Sequence, residues 1–491
     1  MSTLIIHQGT QIKKIEFDAP HPLSALLSKS DTSITQPCGG RGVCGKCAVT
    51  LAGDVSAPNA AENRLCVRLA CQAIINGDAE VTLPVPLILS QIEGGSASDL
   101  VPHSPMSSHF GAAVDIGTTT IALLLYNLQS GRCLATASML NPQTQIACDV
   151  IGRIEAARKG RSEALQLQVE NAIRTLLITA CAHAEAPPEA VDSLVVTGNT
   201  TMLYLLNGID PTPLSRAPFH ADCLFGSETC LLSRQTYLPQ CLHAFVGADT
   251  TCALLACGMT QKNESALLCD VGTNGELALW HHGKLYIAST AAGPAFEGAG
   301  ISCGCSSIPG AIDCAEVIDG HIRCRTIGGG KAVGICGSGL IDLIAAMLDT
   351  NILDDTGYLE EDFSLQDGLT LVQGDVRAVQ LAKAATHAGI MSLLSAANCP
   401  VHEVTTLYLA GGFGSHLNIR SAVRIGLLPS ELSDRVSIIG NAALDGAALL
   451  LTNTALRSHI AEMADRAIHI GLDGNPEFAE CYIESMLFPE E

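Results

Sequence analysis

Two short apolar stretches flank Gln8-Gly9 in LIIHQGTQIKKIEF, a strand–turn–strand pattern. PLSALLSK follows, with Leu23, Leu26 and Leu27 on one helical face. Two further strand-type stretches, AVTLAGDV and AEVTLP, complete residues 1–88 as a compact β-rich module with one helix. Periodicity then lapses. SQIEGGSASDLVPHSPMSSHFG is rich in Ser, Gly and Pro, so residues 89–110 read as a linker.

Beyond the linker one pattern occurs twice. GAAVDIGTTTIALLLYNLQSGRCLATASM (111–139) reads strand, D-x-G-T turn, strand, turn, strand. ALLCDVGTNGELALWHHGKLYIAST (266–290) repeats that order, with a His-His-Gly-Lys turn before the third strand. Two copies of one unit predict two similar lobes facing each other across a cleft. Their bounds are 111–245 and 246–491, the C-terminal segment returning toward the first lobe. Helical periodicity fills 163–184 and 340–350, and 405–426 reads strand, glycine turn, helix. The expectation is an α+β module followed by an α/β body.

Composition narrows the function. The 491 residues are 47% hydrophobic and 15% charged, which suits packed domains and not disorder. Aromatics at 4%, with a single Trp, argue against a base-stacking or sugar-stacking surface. The net charge of −22 argues against nucleic acid or an anionic membrane as partner. Residues 1–88 hold seven basic and seven acidic residues, so the charge lies wholly on the body. Neither a secretory signal nor an apolar run of spanning length is visible, and a cytoplasmic location is expected. The 21 cysteines then read as thiols or metal ligands, not disulfides.

Three of those cysteines, Cys38, Cys44 and Cys47, sit in the glycine-rich QPCGGRGVCGKCAV. Small residues let such a loop wrap an iron–sulfur cluster closely, and backbone N–H groups can hydrogen-bond its sulfurs. Zinc is the main rival, but zinc ribbons use two matched C-x2-C pairs and no second pair follows. A fourth ligand must come from ENRLCVRLACQAI, which offers Cys66 and Cys71. The module resembles the [2Fe–2S] ferredoxins of the adrenodoxin and putidaredoxin type, whose last ligand lies in R-L-x-C-Q. Arg68-Leu69-Ala70-Cys71-Gln72 matches that pattern, so the resemblance implies Cys71 as the ligand and a β-grasp fold.

The repeated turns suit a polyphosphate. In each, an Asp ends a buried strand, a Gly turns the chain, and amides and hydroxyls converge, while the Asp can hold Mg²⁺ through water. The residues are Asp115, Gly117, Thr118 and Thr119 in one copy and Asp270, Gly272, Thr273 and Asn274 in the other. Gly411, Gly412 and Phe413 follow a buried strand, where bare backbone can lie against a nucleotide. This order of elements, over residues 111 to about 455, resembles the superfamily of acetate and sugar kinases, Hsc70 and actin. It implies an actin-like (RNase H-like) ATPase. Asp249 reads equally as a general base or as a helix N-cap, and Glu297 is a further carboxylate in a glycine-rich, cleft-lining stretch.

Fused in one chain, with GPAFEGAGI, GICGSGLID and LAGGFGSHLNI, the two halves resemble the reductive activators of corrinoid enzymes. The resemblance implies ATP-driven transfer of one electron from a [2Fe–2S] cluster to Co(II) of a corrinoid protein. It also implies Gly337 and Ser338 at the nucleotide, a low-potential electron donor, a homodimer, and catalytic roles among Asp115, Asp249, Asp270 and Glu297. Family members usually carry a further segment between ferredoxin and ATPase, where this chain has only its linker. Two other readings stay open: a redox-linked sugar-type kinase, and an ATP-driven electron donor to a non-corrinoid enzyme.

Overall fold

The computed structural model describes residues 2–8, 11–30, 34, 42, 47–65, 67–83, 98–101, 109–147, 149–217, 219–272, 274–411 and 416–490. The N-terminal unit contains β1 (Ser2–Gln8), β2 (Gln11–Phe17), β3 (His21–Pro22), α1 (Leu23–Lys29), β4 (Ala48–Val55), α2 (Ala60–Leu65), β5 (Arg68–Leu69) and β6 (Ile74–Leu83). Its sheet order is β2-β1-β6-β4-β5, with β3 pairing β6, and β1 runs parallel to β6. Leu23, Leu26 and Leu27 are each at most 1% exposed and pack with Leu4, Ile6, Ile75 and Val81, the buried face that PLSALLSK predicted. The short helix α2 is an addition to the single predicted helix. A reciprocal cap starts it: Asn59 Oδ1 accepts from the Glu62 N–H, and Glu62 Oε2 accepts from the Asn59 N–H, both at 2.9 Å.

The first repeat forms β7 (Phe110–Ile116), β8 (Thr120–Asn127) and β9 (Arg132–Leu140). Then come α3 (Val150–Ala156), α4 (Ser162–His183), β10 (Val191–Gly198), α5 (Thr200–Leu206), β11 (Ser227–Leu231) and β12 (Arg234–Leu238). They make a mixed sheet in the order β11-β12-β10-β7-β8-β9. After α6 (Ala248–Cys257), the second repeat forms β13 (Ser265–Val271), β14 (Gly275–His281) and β15 (Lys284–Thr290). The chain continues through β16 (Ala311–Ile318), β17 (His321–Thr326), β18 (Gly334–Ile335), α7 (Gly337–Asp349), β19 (Phe363–Ser364), β20 (Thr370–Leu371), α8 (Gln373–Ala397), β21 (Val404–Ala410) and β22 (Val436–Gly440). The second large sheet runs β22-β21-β13-β14-β15-β23, where β23 is Ile468–His469. In both sheets the repeat supplies an antiparallel trio, and parallel strands extend it on the first strand's side.

Strand period 2 divides each sheet between two cores. Along β8, Ile121, Leu123 and Leu125 face α4, while Ala122, Leu124 and Tyr126 face inward. Along β13, Ala266 and Leu268 face inward, while Leu267, Cys269 and Val271 join α7 and α8. Both inner faces meet on α6 and the helix Ala442–Thr452, which pack between the sheets. These strands are buried on both sides, which is why they read as near-continuous apolar runs. The two inner helices cross closely, since a Cβ on Gly446 would lie 2.0 Å from the Cys252 carbonyl oxygen. Arg457 reaches back to the first sheet, pairing with Glu228 at 2.7 Å, whereas the last helix, Pro476–Glu484, packs on α8. There the buried Lys383 donates to the Leu487 carbonyl and lies 4.8 Å from the Phe488 ring centroid. Among the described residues no helix is long and apolar enough to cross a membrane.

Candidate functional site

Of the predicted cluster ligands, Cys38 and Cys44 lie outside the described residues, as does the alternative Cys66. Cys47 is 1% exposed and its carbonyl accepts from the Ala70 N–H at 2.9 Å, which ties the cysteine loop to the RLACQ turn. Gln72 Nε2 lies 3.6 Å from Cys71 Sγ and 3.3 Å from the Cys71 carbonyl oxygen, an amide donor shared between the two. Gly42 has φ +73°, and a Cβ there would meet the Gln72 side chain at 2.9 Å, so Gly42 lies directly against this glutamine. Glu62 anchors the turn from below: Oε1 accepts from Arg68 Nε and the Leu69 N–H, each at 2.9 Å. Burial pushes its carboxyl pKa up, but donors from Leu69, Asn59 and Arg68 outweigh that and hold it below the usual value. These contacts fit a cluster: two cysteines on abutting segments, one already supplied with a hydrogen-bond donor to sulfur.

The second site lies where the strands of the two sheets end. Asp115 and Asp270 are the penultimate residues of β7 and β13, the two equivalent positions of the repeat. Asp249 enters from the first turn of α6, and Glu276 stands opposite Asp270 in the β13–β14 register. All four are half-buried. Desolvation among packed neighbours raises each carboxyl pKa, and repulsion from neighbouring carboxylates adds to it at Asp115, Asp270 and Glu276. Asp115 rises from 3.8 to about 7, by burial and then by Asp249, against the donation from Asn441. Asp270 rises to about 7, by burial and then by Asp249 and Glu297. Asp249 rises to about 6, chiefly by burial, and Glu276 is pushed well above its ordinary value.

Two contacts close this cleft between distant parts of the chain. The Thr119 hydroxyl donates to Glu297 Oε2 at 2.9 Å, and Asn441 Nδ2 donates to Asp115 Oδ2 at 3.1 Å. The loop after β7 is also held from below. Asn141 Nδ2 donates to the Gly117 carbonyl at 2.9 Å, Asn199 Nδ2 to Thr118 Oγ1 at 3.3 Å, and the fully buried Arg153 to the Thr118 carbonyl. A Cβ on Gly411, whose φ is +85°, would lie 2.5 Å from Asp270 Oδ1, so the third glycine loop starts against the second aspartate.

Three family models tile the chain. A 2Fe-2S iron-sulfur cluster binding domain matches residues 6–76, the RACo middle region 110–262, and the C-terminal ASKHA domain of RACo 264–491. A solved reductive activator for a corrinoid, iron-sulfur protein superposes with a TM-score of 0.71 at 24% identity, covering 100% of this chain and 98% of its own. The corrinoid activation enzyme RamQ of Eubacterium limosum is 33% identical over 81% of this chain and 73% of its own. The chain belongs to the RACo-type reductive activators. A [Co(II) methylated amine-specific corrinoid protein] reductase of Methanosarcina barkeri is similar at 25% identity, over 76% of each chain.

Within this RACo-type frame the predicted residues fall into three groups. Asp115, Gly117, Thr118, Thr119, Asp249, Asp270, Glu297 and Gly411 are brought to one cleft by the contacts above. Gly272 and Asn274 sit in the second turn, the Gly272 N–H donating to the Asn274 carbonyl at 3.2 Å, while Thr273, Gly412 and Phe413 lie outside the described residues. Gly337 and Ser338 open α7, where the buried Ser338 hydroxyl donates to the Asp313 carbonyl at 3.2 Å and helps seat α7 on β16. The N-cap reading of Asp249 is replaced: Gly247 is the N-cap, and Asp249 Oδ1 accepts from the next N–H, Thr250, at 2.7 Å.

Sequence reasoning missed Glu276, Asn441, Asn199, Asn141 and Arg153. Asn199 and Asn441 each stand before an apolar helix, as TGNTT and IGNAA, and cap it, a signal open to reading. The donor set fits Mg²⁺, a hard cation that takes carboxylate oxygens and keeps several waters.

Proposed function

We propose that this chain reductively activates a corrinoid protein at the expense of ATP. The observation that carries the reading is the convergence of Asp115, Asp249 and Asp270 on one cleft, in a chain that begins with a ferredoxin-type module. Cys38, Cys44, Cys47 and Cys71 would hold a [2Fe–2S] cluster, which supplies one-electron chemistry when bound. Co(II) of the partner corrinoid protein is then the substrate and Co(I) the product.

An uphill one-electron transfer costs a factor of ten per 59 mV, so a gap of ~300 mV amounts to about 7 kcal/mol. That is why a nucleotide is needed. The loops carrying Thr118, Thr119 and Asn274 would bind phosphate, Asp115 and Asp270 would hold Mg²⁺, which supplies charge neutralisation when bound, and the glycine loop that starts at Gly411 would take the nucleoside. Asp249, with its pKa raised toward neutrality, is placed to orient or deprotonate the attacking water. Closure of the lobes on ATP changes the chain's affinity for the corrinoid protein and supplies the coupling. The working boundaries are 1–88 for the ferredoxin domain, 89–110 for the linker, and 111–245 and 246–491 for the lobes. The reading includes a low-potential electron donor, a homodimer and a cytoplasmic setting.

The test is anaerobic reduction of a Co(II) corrinoid protein from the same organism, with and without ATP, followed by cobalt absorbance. ATP-dependent appearance of Co(I) is expected. Absence of ATP-dependent Co(I) with every cognate corrinoid protein would overturn the proposal.

A further inference from the structure

The hairpin between β14 and β15 carries a second group of ligand-type side chains, remote from the carboxylate cleft. Strand β14 starts beside the cleft at Gly275 and ends at His281, about 20 Å further along at ~3.3 Å per residue. His281, His282 and Glu403 each offer a ligand atom, and these three atoms lie within 4.8 Å of one another. His281 is 4% exposed, and its Nδ1 is 2.8 Å from the Ser265 hydroxyl. That contact engages Nδ1 and fixes the ring.

The backbone presents the other two groups from fixed elements. His282 has φ +48° and Gly283 φ +74°, a two-residue turn closed by the His281–Lys284 pair. Glu403 ends the 3₁₀ turn Val401–Glu403, which leads directly into β21, and Val404 pairs with Ser265 on β13. The second-lobe sheet thus holds the histidine hairpin and the glutamate turn side by side.

We propose that His281, His282 and Glu403 form a site for a divalent transition-metal ion of the zinc class. Two imidazoles and one carboxylate match zinc and its neighbours, whereas Mg²⁺ and Ca²⁺ take all-oxygen shells. Ligands ~2.0–2.1 Å from a tetrahedral ion stand about 3.4 Å apart. The exposed His282 and Glu403 side chains therefore need to close by at most about 1.4 Å. Ser265 serves as the outer partner that orients a metal-ligating histidine. Three protein ligands leave one position open to water or to an exogenous group, and the bound ion ties the hairpin to the edge of β21.

The test titrates Zn²⁺ into the full-length, cluster-loaded protein against a chromophoric chelator, with X-ray absorption at the zinc edge to identify the ligands. One zinc per chain with imidazole nitrogen and oxygen neighbours is expected. His282→Asn, which keeps a residue suited to the left-handed turn, and Glu403→Gln should each weaken binding about tenfold or more. Wild-type affinity in both variants, a zinc shell made only of sulfur, or no zinc binding by the wild type overturns the proposal.

Discussion

Asp249→Asn isolates the electrostatic cost of the cleft. Burial raises the Asp249 carboxyl pKa from 3.8 to about 6, and its charge in turn helps raise Asp115 and Asp270 to about 7. A carboxyl whose folded pKa lies above its unfolded value contributes stability that is complete below about pH 4. That contribution is lost as pH rises through the folded pKa. About two units at 1.36 kcal/mol each put the cost of the Asp249 charge near 3 kcal/mol above pH 7. The carboxamide removes that cost, keeps an oxygen to accept from the Thr250 N–H, and lowers the pKa of its neighbours. Thermal unfolding in the presence of EDTA, followed by the fluorescence of Trp280, the only tryptophan, reports on the second lobe directly. Wild type should unfold at a lower temperature at pH 8 than at pH 5.5. The variant should show a flatter pH dependence and a midpoint at pH 8 higher by roughly 5 °C, while ATP hydrolysis falls by about 10²-fold or more. A variant no more stable than wild type at pH 8, with the same pH dependence, would refute the account of the cleft.

Other perturbations probe other links. Cys71→Ser should abolish the [2Fe–2S] absorbance and EPR signal while Cys66→Ser keeps them; the reverse outcome assigns the fourth ligand to Cys66. Gln72→Leu removes the amide aimed at Cys71 Sγ and should make the reduction potential more negative, and a potential that stays put or rises in an EPR-monitored titration contradicts that role. Gly446→Ala places a methyl 2.0 Å from the Cys252 carbonyl oxygen, so the inner helices must separate at about 1–3 kcal/mol or more. An unchanged Trp280 unfolding midpoint would show that the crossing is looser than described.

Much of this architecture was legible because the repeat is local. The first strands predicted in the 111–139 and 266–290 stretches are Phe110–Ile116 and Ser265–Val271, since buried apolar runs ending in D-x-G-T state both the strand and its turn. The α2 helix was equally readable, Asn59 and Glu62 having capping-box spacing, but it hides between the strand stretches. Tertiary partners were not readable. Glu276 matters only because antiparallel pairing sets it beside Asp270, and the equivalent position of the first repeat, Ala122, carries no charge. Asn441 reaches Asp115 across 326 residues of sequence, a distance no periodicity encodes. Arg153 sits on an ordinary helical pattern, and only the fold shows that its guanidinium is fully buried beneath the first phosphate-type loop.

The hydrogen bond between Thr119 and Glu297 carries a further consequence. A hydroxyl hydrogen can serve one acceptor at a time, so any anion that recruits Thr119 must first displace a carboxylate from the opposite lobe. Ligand entry at this position is an exchange of partners. The Glu297 carboxylate then faces Asp270 without the Thr119 donor, and its charge already raises the Asp270 pKa. A cation arriving with the anion would relieve both strains at once. The latch therefore selects for ligands that come as neutralised pairs, and it lets the second lobe sense, through one proton donor, that the first is engaged.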